Sequence, residues 1–335
     1  MTAALDTGFL LAATRRFHEA IRVAVAERLH AARAAARPEL ANRPGAQRAG
    51  DISYALDEVA EGPLDAFGRE LATRHPVTLV CEGPGHVRFD GPAGATPLRV
   101  IIDPVDGTRP LMHDMRSAWA LTGLAPDRGE ATRLSDIEVA VQTELPTTAA
   151  ATYEVLHAVR GGGAVRARHA VADGALLDEG PLRVAEELPL DNGYFSFTHF
   201  LPVERALVAE LERRFLDAAV PALGLEPRLL YDDQYLCSAG QLALVATGRY
   251  RLLADLRGWL RATRRVDNFT AKPYDLAALL VYREAGVPVL DAHGRPLDAP
   301  LDTETCLDVV AYGNETLRAA YEPHLHAARD ALAGA

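Results

Sequence analysis

The segment Leu98-Arg-Val-Ile-Ile-Asp103-Pro104-Val105-Asp106-Gly107-Thr108 constrains the fold more than any other stretch of the chain. The run Leu98–Ile102 is β-rich and reads as a buried strand. It is predicted to stop at Asp103-Pro104. Pro104 pre-sets φ, and Asp106-Gly107 is a tight-turn pair. Both carboxylates and the Val105 carbonyl can then converge on one point just past the strand end. These are hard oxygen ligands, suited to Mg²⁺ more than to zinc. The amides of Gly107 and Thr108 suit a phosphate if they open a helix or form a nest. The same residues also fit an Asx-rich turn with no ligand at all.

Around this segment the chain reads as mixed α and β. Phe17, Ile21, Val25 and Leu29 recur every four residues, so Leu10 to about Arg37 is predicted as an amphipathic helix. Residues 38–50 read as a loop. Leu64, Phe67 and Leu71 mark a second helix, which Gly62-Pro63 should kink or restart. A strand over Val77–Cys81 ends in the turn Glu82-Gly-Pro-Gly85. Strands follow over Trp119–Leu124, Ile137–Val141 and Thr152–Val159, the last turned into a hairpin by Gly161-Gly162-Gly163. Helices are predicted over Glu204–Phe215, Cys237–Thr247, Tyr274–Ala285 and from about Asn314. Tyr250–Ala254 and Val287–Leu290 are predicted strands. No internal repeat or low-complexity linker separates them, which suits a mixed α/β architecture in two intimately joined halves. The boundaries expected are 1–45 (helix and loop packed on the first half), 46–190 and 191–335.

Charge and cysteine usage narrow the function. Thirty-five Lys and Arg stand against 46 Asp and Glu, a formal net charge of −11. That balance argues against a nucleic-acid polymer as the main partner, though not against a small phosphorylated ligand held by metal ions. Cys81, Cys237 and Cys306 are scattered with no C-x-x-C pair, which reads as reduced thiols in a cytoplasmic protein. The first twenty residues lack the charge order of a secretory signal. No apolar run approaches the roughly 20 residues of a membrane span.

Three further acids stand where they can join Asp103 and Asp106. Glu82 directly follows a predicted strand. Asp57 lies just before or at the start of the second helix. Asp275, in Lys272-Pro273-Tyr274-Asp275-Leu-Ala-Ala, opens a helix that ends at Gly286. Singly, Asp57 and Asp275 are also ordinary helix-opening acids and Glu82 an ordinary turn residue. Together they matter energetically. Two carboxylates about 4 Å apart repel by about 4 kcal/mol at an effective dielectric of 20. Converging acids therefore require bound cations or raised pKa values.

The ordered set D-P-V-D-G-T, a strand-end glutamate some twenty residues before it, and a late P-Y-D-L-A-A…E-A-G resembles the inositol monophosphatase family. This is the Mg²⁺-dependent, lithium-sensitive phosphatase superfamily that includes fructose-1,6-bisphosphatases and nucleotide 3′-phosphatases. The similarity runs from about Ala46 to Tyr312. It takes in the glycine-rich hairpin at Gly161–Ala164 and the small-residue helix Cys237–Gly248. The resemblance implies a layered α-β-α-β-α sandwich and commonly a homodimer. It implies that Glu82, Asp103, Asp106, Asp275 and the Val105 carbonyl ligate two or three Mg²⁺. By the same resemblance Asp57 sits beside Thr108 and orients the attacking water, while Asp106, Gly107 and Thr108 hold the phosphate. Arg109 and Ser238 are further candidates for contact with the substrate.

The activity so implied is hydrolysis of a small phosphate monoester (an inositol or sugar phosphate, a sugar bisphosphate or a nucleotide 3′-phosphate) by direct attack of metal-activated water. The competing reading is a non-catalytic relative that binds a phosphorylated ligand without turning it over. The chain departs from the family pattern at Gly83, where a second glutamate is usual, at Arg109-Pro110-Leu111, and at Val287. Arg109 beside the phosphate loop suits a second anionic group on the ligand. Arg257, Arg261, Arg264 and Arg265 read as a solvated basic helix face. His113 reads as a loop histidine. No G-x-S-x-G elbow, P-loop or dinucleotide fingerprint is present.

Overall fold

The computed structural model describes residues 5–34, 44–48, 51–54 and 57–334. Helix α1 spans Thr7–Ala34 and buries Leu10, Phe17, Ile21, Val25 and Leu29 on one face. A short antiparallel pair follows, β1 (Pro44–Arg48) and β2 (Asp51–Tyr54). Part of the predicted loop 38–50 is therefore strand, because its main chain pairs with the residues just after it. A 3-10 turn, Asp57–Ala60, leads into α2 (Glu61–Ala72). Pro63 falls in the first turn of α2, where its missing N–H has no helical partner to lose; Gly62-Pro63 restarts the helix and does not kink it.

Strands β3 (Val77–Cys81), β4 (Gly85–Phe89), β5 (Leu98–Asp106), β6 (Ala118–Pro126), β7 (Val139–Leu145), β8 (Thr152–Val159), β9 (Ala164–Ala170) and β10 (Leu176–Leu182) form one sheet in the order β10-β9-β8-β7-β6-β5-β3-β4. The short helix α3 (Thr108–Met112) lies between β5 and β6. A second sheet is built from β11 (Gly193–Phe197), β12 (Leu230–Asp232), β13 (Tyr250–Asp255), β14 (Val289–Leu290) and β15 (Val309–Tyr312), in the order β12-β11-β13-β15-β14. The remaining helices are α4 (Arg205–Leu223), α5 (Ser238–Ala246), α6 (Arg257–Arg264), α7 (Leu279–Ala285) and α8 (Glu315–Ala333). Asn314 caps α8, its side chain accepting from Leu317 N. Among the described residues, no helix is long and apolar enough to cross a membrane.

Alternation along the strands assigns the layers. Val100 and Ile102 of β5 pack with α1 and α2, while Ile101 faces a core shared with α5 and α7. Leu253 of β13 and Ala311 of β15 enter that same core, and Leu252, Ala254 and Val310 turn to α4 and α8. The order is therefore α-β-α-β-α, with the central strands of both sheets buried on both faces, as their near-continuous apolar sequences require.

Three expectations are corrected. β5 does not stop at Asp103-Pro104; it runs to Asp106 through a break in register between Asp103 and Asp106, since Pro104 cannot donate to the ladder. The predicted helix Tyr274–Ala285 is a 3-10 turn, Tyr274–Leu276, followed by the separate helix α7. The strand predicted over Ile137–Val141 lies two residues further on, as β7.

Candidate active site

β3 and β5 are parallel neighbours, with Cys81 paired to Ile102. Glu82 and Asp103 therefore leave adjacent strand ends side by side, and Glu82 N donates to Ile102 O at 3.2 Å. Beyond Ile102 the chain folds back through its own acids. Val105 N donates to Asp103 Oδ1 at 3.0 Å, and the Thr108 hydroxyl donates to the Val105 carbonyl at 2.9 Å. Gly107, at φ 96°, precedes α3. A Cβ there would stand 2.8 Å from Cys237 Cβ, so the position admits only glycine on both counts.

Helix α5 fixes the second aspartate from the other side. Ala239 N donates to Asp106 Oδ2 at 2.6 Å. Cys237, the N-cap of α5, donates from Sγ to Asp106 O at 3.2 Å and accepts from Gly240 N at 3.2 Å. Asp275 arrives on the 3-10 turn, where its Oδ2 accepts from Lys272 N at 2.6 Å. That turn lies against β6 only because residue 123 is glycine: a Cβ there would sit 2.3 Å from the Ala277 carbonyl.

The result is one cluster. A carboxylate oxygen from each of Asp103, Asp106 and Asp275 lies within 4.8 Å of the others. Asp103 and Asp106 are buried, with 1% and 8% exposure. Burial pushes the Asp103 carboxyl well above the usual carboxylate range, and repulsion from Glu82, Asp106 and Asp275 adds to the shift. Burial also pushes Asp106 up to about 6, against the opposing bonds from Ala239 N and Cys237. Clustered hard oxygen donors that resist ionisation by themselves are the donor set a divalent cation fits.

The cluster opens into a cavity of about 80 Å³. Its wall includes Glu82, Val105, Gly107, Thr108, Arg109 and Ser238 beside the three aspartates. Nine of the ten residues that the sequence marks for the site thus meet at one place. Asp57 opens the 3-10 turn Asp57–Ala60; its side chain lies outside the described residues.

No protein-family model matches the chain, and no curated protein matches it in sequence. Solved structures do. Fructose-1,6-bisphosphatase of Leishmania major superposes with a TM-score of 0.68 at 13% identity, covering 96% of this chain and 94% of that one. Inositol monophosphatase II of Staphylococcus aureus gives 0.61 at 15%, covering 96% of each chain. The SuhB protein of Bartonella henselae gives 0.62 at 18%, covering 94% and 98%. The fold is that of the inositol monophosphatases and fructose-1,6-bisphosphatases. At these identities the likeness is one of fold.

Within the inositol monophosphatase fold the sequence leaves several cavity residues unmarked. Arg257 does not lie on a solvated face. It is 2% exposed, bonded to Asp255 at 2.8 and 2.6 Å, and its guanidinium covers the Phe200 ring at 3.9 Å. Arg261 and Arg265 are exposed, as expected of a basic face. Phe200, Leu236, Phe269, Thr270 and Tyr274 also line the cavity. A signal for Arg257 was present: Asp255-Leu-Arg257 joins a predicted strand end to an apolar-flanked arginine. Nothing local marks Phe200 or Cys237, whose positions depend on long-range packing. Of the departures from the family pattern, Pro110 sits within the first turn of α3, where it is tolerated. Val287 is buried in the central core, and His113 is exposed at the end of α3.

Proposed function

We propose that this protein is a Mg²⁺-dependent phosphomonoesterase that acts on a small phosphorylated metabolite. The observation that carries the reading is the meeting of Asp103, Asp106 and Asp275 in one buried cavity together with Glu82, Val105 and Thr108. The fold shared with inositol monophosphatase and fructose-1,6-bisphosphatase structures supports it.

In this reading Glu82, Asp103, Asp106, Asp275 and the Val105 carbonyl hold the metal. Bound divalent cations supply an acidified water and neutralise charge on the transferring phosphoryl group. The chain's own groups do the rest. The two bonds to Asp106, from Ala239 N and Cys237, fix its carboxylate in one rotamer. The Thr108 hydroxyl, already oriented by the Val105 carbonyl, presents its oxygen as an acceptor to the attacking water, with Asp57 as its partner in orienting that water. The Gly107 and Thr108 amides face the phosphate. Among the described residues that line the cavity there is no histidine or cysteine, and the reading takes the reaction as direct displacement by water.

Phosphate release from a panel of sugar, cyclitol and nucleotide monoesters, with Mg²⁺ and with EDTA, tests the reading. Release that survives EDTA, or Asp103→Asn protein that still turns over with Mg²⁺, overturns it. Tight binding of a phosphorylated ligand without release would identify the non-catalytic relative instead.

A further inference from the structure

A second cavity, of about 280 Å³, lies at the start of β13 and shares no lining residue with the catalytic cavity. β11 and β13 run parallel, with Tyr194 paired to Tyr250. Both strands begin at this second cavity and lead on to residues of the catalytic one, β11 to Phe200 and β13 to Arg257. The two cavities therefore sit at opposite ends of the second sheet. Leu244 and Gly248, from the C-terminal end of α5, complete the lining.

The walls are largely aromatic. The Tyr194 ring stands 5.3 Å from Tyr231 and 6.4 Å from Tyr250, centroid to centroid. Tyr194 remains 44% exposed, so packing does not use up its ring. The carboxylate and amide oxygens of the wall are already engaged. Asp233 accepts from Arg116 at 2.9 and 2.8 Å and from the Tyr250 hydroxyl at 2.7 Å. The Asn192 Oδ1 accepts from the Tyr231 hydroxyl at 3.3 Å. A ligand rich in hydroxyls would find few acceptors here, whereas a flat ring needs none.

The charge of the lining is positive, although the chain carries −11 overall. Arg249 and Arg251 both line the cavity, and its one acid, Asp233, is matched by Arg116. Arg251 is buried, and its guanidinium is held by the carbonyls of Pro189, Gly248 and Asn192. A Cβ on residue 193 would stand 2.7 Å from the Arg251 Cζ, so this pinned guanidinium requires Gly193. One N–H on each of Nη1 and Nη2 is left over, and no carboxylate forms an ion pair with Arg251 among the described residues. Burial opposes the Arg251 charge, and Asp191 offsets it only from a distance. Arg249 is exposed, and its side chain makes no hydrogen bond or ion pair with a described residue, though Glu144 lies near enough to feel its charge. A buried cation of this kind is stabilised by an anion brought beside it.

We propose that the cavity at the start of β13 is a second ligand site, which takes a small organic anion carrying a flat aromatic ring. The anionic group pairs with Arg249 and Arg251, and the ring lies against Tyr194. The site stands apart from the phosphomonoesterase reading and does not depend on it.

Calorimetric titration of the full chain in EDTA tests the proposal, with 2-naphthoate as the probe that has both ring and charge. 2-Naphthylmethanol keeps the ring without the charge, decahydro-2-naphthoate keeps the charge without the flat ring, and 2-naphthylphosphonate exchanges the carboxylate for a phosphonate. A naphthyl anion should bind saturably, about tenfold or more tighter than the alcohol and severalfold tighter than the decahydro acid. Binding of either naphthyl anion satisfies the proposal, and the tighter of the two identifies the anionic group. Arg249→Gln should weaken that binding about tenfold and Tyr194→Leu severalfold, with circular dichroism confirming that both variants fold. Phe269→Leu, in the wall of the catalytic cavity, should leave it unchanged. The proposal is overturned if neither naphthyl anion binds saturably at millimolar concentration, or if the alcohol or the decahydro acid binds as tightly. Weakening by Phe269→Leu but not by Arg249→Gln would place the probe in the catalytic cavity and overturn it as well. None of these readouts involves phosphate release, so this proposal and the phosphomonoesterase reading fail separately.

Discussion

Two strand ends bury charge in this molecule, and they solve the problem differently. At the end of β13, Asp255 and Arg257 neutralise each other within three residues, at 2.6 and 2.8 Å and nearly out of solvent. At the end of β5, Asp103 and Asp106 are as deeply placed, but their close neighbours include Glu82 and Asp275. The first end is electrically complete as folded. The second is complete only with a proton or a cation from outside. The contrast gives the physical reason for reading β5 as the reactive end and β13 as its scaffold.

The largest expected effect breaks the β5 end. Asp103→Asn should abolish Mg²⁺-dependent phosphate release, yet in EDTA it should leave thermal stability unchanged or higher, because it removes a buried carboxyl whose ionisation its neighbours oppose. Calorimetric melting with and without EDTA checks both halves. The matching change at β13 has the opposite sign. Arg257→Met strands the Asp255 carboxylate and should cost about 3–5 kcal/mol in urea unfolding, most of it restored in the Asp255→Asn, Arg257→Met double variant.

The pH dependence sharpens the comparison further. An acid held above its unfolded value binds protons more tightly when folded, so its contribution is full below pH 3.8 and is lost as pH rises through about 6 for Asp106. Metal-free protein should therefore lose stability across that window, by an amount of order 3 kcal/mol for this one group. Asp106→Asn should lack that slope, and the difference between the two proteins isolates it from Asp308, which titrates with the same sign near 7. Added Mg²⁺ should flatten the loss, since the ionised form is the one that binds it.

Smaller effects concern the supports. Gly123→Ala drives a methyl into the Ala277 carbonyl and should displace the Asp275 turn, costing about 1–3 kcal/mol by overpacking and weakening Mg²⁺ binding in calorimetric titration. Cys237→Ser keeps a donor to Asp106 and an acceptor for Gly240, and should change stability by less than about 1 kcal/mol. A large loss of metal affinity in the serine variant would show that sulfur itself matters there.

Much of this was legible in the sequence because it is local. The strand run into Asp103-Pro-Val-Asp106-Gly107 specifies its own turn, since proline, aspartate and glycine each restrict the backbone independently of context. Period-four spacing in α1 and the unbroken apolar runs of the central strands, such as β3 and β13, mark what is buried. What the pattern could not show is register. β4 and β10, too polar to be read as strands, exist because neighbouring strands offer them an edge. The strand β5 runs past its proline because a bulge absorbs the missing donor.

The sequence by itself determined the donor chemistry: which acids occur, at which element ends, and that they cannot share a site uncharged without cost. Only the tertiary structure decided which of them meet. Parallel pairing of β3 with β5 brings Glu82 to Asp103, the bare α-carbon of Gly123 admits Asp275, and the packing of α5 places Cys237 on Asp106. It also turned one arginine of an apparent surface run inward. Contacts between residues more than a hundred positions apart are set by how layers close over a shared core, and one-dimensional patterns carry no information about that closure.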